Sequence, residues 1–138
     1  MKKPFSILLV EDDQVDAMTV TRALRDIKST HSLIHKTNGL EALNFFKEKP
    51  TQLPGMILLD LNMPKMNGIE FLQWIKADEE LKRIPVVVLT TSNDQRDKFE
   101  SFNLGVAGYM LKPVGYNEFL TVMHEINTYW TKSELSNN

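Results

Sequence analysis

The chain has no cysteine. Disulfide scaffolds, thiolate nucleophiles and cysteine-ligated metals are therefore excluded. Histidine is scarce: His31, His35 and His124 are scattered and stand apart from the acidic runs, so surface or structural roles are expected of them. An excess of either charge is also missing. Sixteen Lys and Arg against eighteen Asp and Glu give a net charge of −2. A broad electrostatic surface for nucleic acid is excluded. No apolar run approaches the length needed to cross a bilayer. The short apolar stretch after Met1-Lys2-Lys3-Pro4 has neither the length nor the small-residue cleavage site of a signal peptide. A soluble, cytoplasmic protein with no nucleic-acid or membrane partner is the expectation.

What is present is close to the globular average, with 42% hydrophobic and 25% charged residues in 138. That length fits one domain with a real core. Residues 1–130 are read as that domain and 131–138 as a polar C-terminal tail.

The stretch Met56-Ile57-Leu58-Leu59-Asp60 organises the chain. Four apolar residues run straight into one carboxylate, and Pro64 soon stops the run. An uninterrupted apolar segment of this length reads as a strand buried on both faces. It delivers Asp60 at its carboxyl end, where open α/β sheets place their ligands. An Asp there also serves as a helix cap or turn residue, and that reading stays open on this stretch alone.

The other strands follow the same pattern. Phe5 to Val10 ends in Glu11-Asp12-Asp13, and Asp13 or Gln14 starts a helix whose inner face is Ala17, Val20, Leu24 and Ile27. A weaker strand, Ser32 to Lys36, turns at Asn38-Gly39 into a helix with Leu40, Leu43 and Phe46 inward and Phe45 at the margin. Lys49 to Gly55 is a loop. After Asp60 and an irregular connection, Ile69, Leu72 and Ile75, with Phe71, mark a third helix. Pro85 to Thr90 is a β-branched strand, followed by a helix to about Asn103 that Leu104-Gly105 ends. Val106 to Leu111 is the last strand, closed by Lys112-Pro113, where a cis bond is expected. The last helix carries Phe119, Val122, Met123, Ile126 and Trp130. Five strands alternating with five helices predict a doubly wound α/β parallel sheet joined by right-handed crossovers.

In such a sheet the strand ends share one edge. Glu11, Asp12, Asp60, Thr90 and Lys112 therefore converge, with Thr91 and Ser92 just beyond. Asp13 satisfies the helix cap, which leaves Glu11 and Asp12 to explain. Converging carboxylates need a cation, and hard oxygens without His or Cys favour Mg²⁺ over zinc. One carboxylate, one Mg²⁺, one hydroxyl and one lysine are the parts phosphoryl transfer requires: Asp60 as nucleophile, Lys112 to pair with the acyl phosphate, Thr90 to donate to a phosphoryl oxygen.

Val10-Glu11-Asp12-Asp13, Leu59-Asp60-Leu61-Asn62-Met63-Pro64 with Gly68, Leu89-Thr90, and Gly108-Tyr109-Met110-Leu111-Lys112-Pro113 together resemble the receiver domain of two-component response regulators. The resemblance covers roughly residues 5 to 130. It implies the flavodoxin-like strand order 2-1-3-4-5. It implies Asp60 as phosphoacceptor from a histidine kinase, and Glu11, Asp12, Asp60 and the Asn62 backbone carbonyl around Mg²⁺. It makes Lys112 the phosphate-binding lysine and Thr90 and Tyr109 the switch pair, with Asn62, Thr91 and Ser92 tuning dephosphorylation. It further implies an unnamed downstream protein and a homodimer through the fourth helix, fifth strand and fifth helix. Leu81 to Ser92, the long loop before the Asp60 strand and Tyr129-Trp130 look like the stand-alone receivers that partner bacterial phytochromes.

Three other functions remain in view. An aspartate-nucleophile phosphatase of the haloacid dehalogenase type shares the strand–Asp–Mg²⁺ logic, but it needs a second Asp two residues on, where Asn62 stands. A flavodoxin-like cofactor binder needs a phosphate loop after the first strand, where Glu11-Asp12-Asp13 repels phosphate. A phosphate-relay intermediate without its own effector uses the same residues.

Overall fold

The computed structural model describes residues 5–132, with side chains through Tyr129. The side chain of Trp130 and the expected tail beyond Lys132 lie outside the described residues. The elements run β1 (Ser6–Val10), α1 (Gln14–Asp26), β2 (Ser32–Lys36), α2 (Gly39–Lys47), β3 (Met56–Leu59), α3 (Gly68–Ala77), β4 (Val86–Thr90), α4 (Gln95–Asn103), β5 (Gly108–Leu111) and α5 (Tyr116–Lys132). A short 3-10 turn, Leu81–Arg83, precedes β4. All strands are parallel, in the order β2-β1-β3-β4-β5.

The apolar runs of β1, β3 and β4 split by strand alternation into two cores. Leu8, Val10, Ile57, Leu59, Val86 and Val88 face α2 and α3, against Ala42, Phe46, Phe71, Leu72 and Ile75. Ile7, Leu9, Met56, Leu58, Val87 and Leu89 face α1 and α5, against Ala17, Val20, Leu24, Phe119, Met123 and Ile126. Burial on both faces explains why these strands show no polar alternation.

The helix starts follow capping chemistry. Asp13 accepts from the Asp16 N–H, Asn38 from Glu41 and Asp94 from Arg96. Asn67 and Glu70 form a reciprocal capping box. Gly105, at φ +83°, closes α4 in a conformation that only glycine adopts without strain.

Four expectations need correction. Leu40 lies on the outer side of α2 at 44% exposure, and Ala42 takes the inward place. The early position of Leu40, beside the Asn38 cap, turns it away from the sheet. Pairing in β5 begins at Gly108, because Val106 is still in the turn that receives α4 and Ala107 reaches β4 only through its N–H to Val86. No cis peptide bond occurs among the described residues, so the bond before Pro113 is trans. Ile27, expected on the inner face of α1, is the residue that caps its end and packs only at the margin of the core.

Candidate functional site

The last rungs of the sheet aim the site. Val10 pairs with Leu59, and the next residue on each strand, Glu11 and Asp60, leaves the sheet at the same level. The Asp60 N–H donates to the Val10 carbonyl at 3.0 Å, and the Glu11 N–H to the Lys36 carbonyl at 3.0 Å. Thr90 pairs with Leu111, and the Lys112 N–H donates back to the Thr90 carbonyl at 2.8 Å. Backbone bonds thus hold Glu11, Asp60, Thr90 and Lys112 along one edge, as strand alternation predicts.

The loop after Asp60 is pinned by two glycines. The Gly68 N–H donates to the Leu61 carbonyl at 3.0 Å, and the Gly39 N–H to the Met66 carbonyl at 3.1 Å. A Cβ at Gly68 would stand 2.5 Å from the Asp60 carbonyl oxygen and 2.6 Å from Leu61 Cα. Only glycine allows this close passage of two backbones.

Glu11, Asp12 and Asp60 bring carboxylate oxygens within 4.8 Å of one another. Glu11 and Asp60 are buried and Asp12 is exposed. Burial pushes the Glu11 carboxyl up to about 7; its bond to Lys112 opposes the rise and the Asp60 charge adds to it. A buried carboxylate that resists its charge beside two others is a donor set short of positive charge. Hard oxygens with one open, exposed side fit a divalent cation that keeps part of its water.

The Lys112 ammonium gives hydrogen bonds to Glu11 Oε1 at 2.6 Å and to Asp16 Oδ2 at 2.7 Å, and stands 3.6 Å from Asp60 Oδ2. Burial alone would lower its pKa, but the carboxylates of Asp16 and Glu11 and the Asp60 charge more than offset this and raise it. Lys112 is always charged here. Asp16 was not among the residues the sequence singles out. Its one signal is its place three residues after the Asp13 cap, in the first turn of α1.

Thr90 is fully buried, and its Oγ1 accepts from the Ser92 N–H at 3.2 Å. Ser92 in turn donates its hydroxyl to Asp97 Oδ2 at 2.7 Å. The Tyr109 hydroxyl donates to the Ser92 carbonyl at 2.9 Å, and its ring lies 6.4 Å from that of Phe102. Burial raises the Tyr109 pKa, so the phenol keeps its proton for that bond. Asn62 and Thr91 are exposed on either side of the edge. Histidine placement is partly as expected: His124 is exposed and His31 is buried against Phe5. His35 is nearer the site than expected, with Nε2 2.8 Å from the Glu11 carbonyl oxygen.

A family model described as the response regulator receiver domain matches residues 7–124. The chain belongs to that family. Among curated relatives of this receiver, response regulator Rcp1 of Synechocystis is 38% identical over 134 residues, 94% of this chain and 91% of that protein. The probable methanogenesis regulatory protein FilR2 of Methanothrix harundinacea is 38% identical over 130 residues, 92% of this chain and 84% of that protein. The crystal structure of the phosphorylated cyanobacterial phytochrome response regulator RcpA superposes with a TM-score of 0.90 at 35% identity, covering 97% of this chain and 99% of that one. The Mn²⁺-bound form of Rcp1 superposes at 0.87 and 38%, covering 96% and 99%. These likenesses bear out the expected fold and family. No described helix of this receiver is long and apolar enough to cross a membrane.

Proposed function

We propose that this receiver takes a phosphoryl group on Asp60 from a sensor histidine kinase and signals through a changed protein-binding face. The observation that carries this reading is the setting of Asp60: a buried carboxylate 3.6 Å from an obligately charged lysine and within 4.8 Å of two more acids. Mg²⁺, held by Glu11, Asp12, Asp60 and the Asn62 backbone carbonyl, supplies neutralisation of the phosphoryl oxygens when bound.

The chain's own groups do the rest. Burial strips water from Asp60, which sharpens it as a nucleophile. Lys112 donates to the acyl phosphate as a point charge. The Thr90 hydroxyl accepts from Ser92 and so keeps its own proton to donate to a phosphoryl oxygen. Turning Thr90 toward the phosphate releases the Ser92 N–H, and the Ser92 carbonyl is what Tyr109 holds. One movement therefore reaches α4 and β5 through two hydrogen bonds, a coupled two-state change. Phe99, Phe102, Leu111 and Val114 are exposed around that face, where a downstream protein or a second copy would bind.

We read the chain as a switch and not a turnover catalyst, because Asn62 has no proton to move at the place where a phosphatase needs an acid. The kinase is proposed to be of the phytochrome type, on the likeness to Rcp1 and RcpA. Acetyl phosphate plus Mg²⁺ followed by intact mass spectrometry tests the central reading. One added phosphoryl group in the parent chain and none in Asp60→Asn is expected; equal labelling of both would overturn it.

A further inference from the structure

Lys112 has three N–H bonds to give and three carboxylates around it, and it is not equally close to them. It spends two of them on Glu11 and Asp16, and its 3.6 Å distance from Asp60 is beyond hydrogen-bond range. Asp16 is not a loose surface acid. It stands in the first turn of α1, with its N–H held by Asp13 Oδ1 at 3.0 Å. Its side chain is 39% exposed against 10% for Lys112, so it holds the ammonium from the solvent side of the cluster. The acyl phosphate needs the ammonium to move the other way.

We propose that Asp16 is a positioning residue that holds Lys112 off Asp60 in the resting protein and competes with the incoming phosphoryl group for it. The inference rests on Asp60 as phosphoacceptor. In the step concerned, an Asp60 carboxylate oxygen bonds to the phosphorus of acetyl phosphate as the bond from phosphorus to the acetate oxygen breaks. Acetate leaves with that electron pair. Lys112 meets the phosphoryl oxygens during transfer, and shifting the ammonium toward them stretches its 2.7 Å bond to Asp16. A helix-terminal carboxylate also stabilises α1 through the dipole, but that contribution does not depend on Lys112.

The test compares the parent chain with Asp16→Asn, Lys112→Ala, the double variant and Asp60→Asn, each with acetyl phosphate and Mg²⁺. Asp16→Asn is expected to take up the phosphoryl group faster by about three- to tenfold, the range a single charge-assisted hydrogen bond at a half-exposed site supports. The acceleration is expected to vanish in the Lys112→Ala background. A direct reading needs no phosphoryl transfer: in metal-free protein the ¹H–¹⁵N signal of the Lys112 ammonium should shift in Asp16→Asn. An unchanged or slower rate, an acceleration that survives Lys112→Ala, or an unshifted ammonium signal each overturns the role of Asp16. Absence of labelling in the parent chain overturns the phosphoacceptor reading itself, and this inference with it.

Discussion

The Tyr109 hydroxyl donates to the Ser92 carbonyl at 2.9 Å, so the fifth strand is tied to the loop that follows Thr90. This bond joins the phosphoryl edge to the outer face at α4. Tyr109→Phe keeps the ring and loses the bond. It is expected to cost about 0.5–1.5 kcal/mol, measured by urea unfolding. Phosphoryl uptake should persist, while the phosphorylation-dependent change in hydrogen exchange along α4 disappears. An α4 response equal to that of the parent chain would show that the signal leaves by another route.

Gly68 lets the start of α3 pass against the backbone of Asp60 and Leu61. Gly68→Ala puts a methyl group 2.5 Å from the Asp60 carbonyl oxygen, a backbone atom that cannot swing away. A loss of about 1–3 kcal/mol is expected, together with slower phosphoryl uptake, because the atoms pushed belong to the nucleophile's own residue. Thermal unfolding and the acetyl phosphate assay check both parts. A variant as stable and as fast as the parent would mean the loop yields freely.

Glu11 provides a pH dependence with a definite sign. Its carboxyl is pushed by burial from 4.5 up to about 7 in the folded, metal-free chain. The folded state therefore binds this proton more tightly than the unfolded state, and the stability it confers falls as pH rises from 4.5 through about 7. A divalent cation needs the carboxylate, so Mg²⁺ affinity should rise across this window and level off above it. Calorimetric titration of Mg²⁺ across that range checks this, and Glu11→Gln should flatten the profile. A flat profile in the parent chain would remove Glu11 from the metal site.

His31 titrates in the opposite sense. Burial lowers its pKa below 6.5, while its Nδ1 accepts from the Phe5 N–H at 3.0 Å and its ring stacks on Phe5 at 3.8 Å. The neutral ring is the folded form. The stability it contributes is present above 6.5 and is lost as pH falls through the lower folded value. NMR titration should place His31 below 6.5; a value above 6.5 would contradict the burial account.

The sheet and its edge were legible because apolar runs ending in polar groups leave few alternatives. Met56 to Leu59 and Val86 to Leu89 have no polar face to show, and the residues after them had to sit at one edge once the sheet was parallel. Leu40 misled because spacing alone cannot tell which side of α2 a residue beside the cap takes. Asp16 and His35 were missed for a different reason. Their contacts with Lys112 and the Glu11 carbonyl join residues far apart in the chain, and the distances depend on how α1 and β2 pack around β1. Strand order places Lys112 near the acids. It does not say which acid the lysine grips.

The central claim is that Asp60 carries the phosphoryl group. Borohydride reduces an acyl phosphate of aspartate to homoserine, so treatment of the acetyl phosphate-labelled chain followed by peptide mass mapping locates the modified residue directly. Homoserine at position 60, dependent on Mg²⁺ and absent when labelling is omitted, is the predicted result. An unmodified position 60, or modification at Asp12 or Asp16 instead, would contradict it.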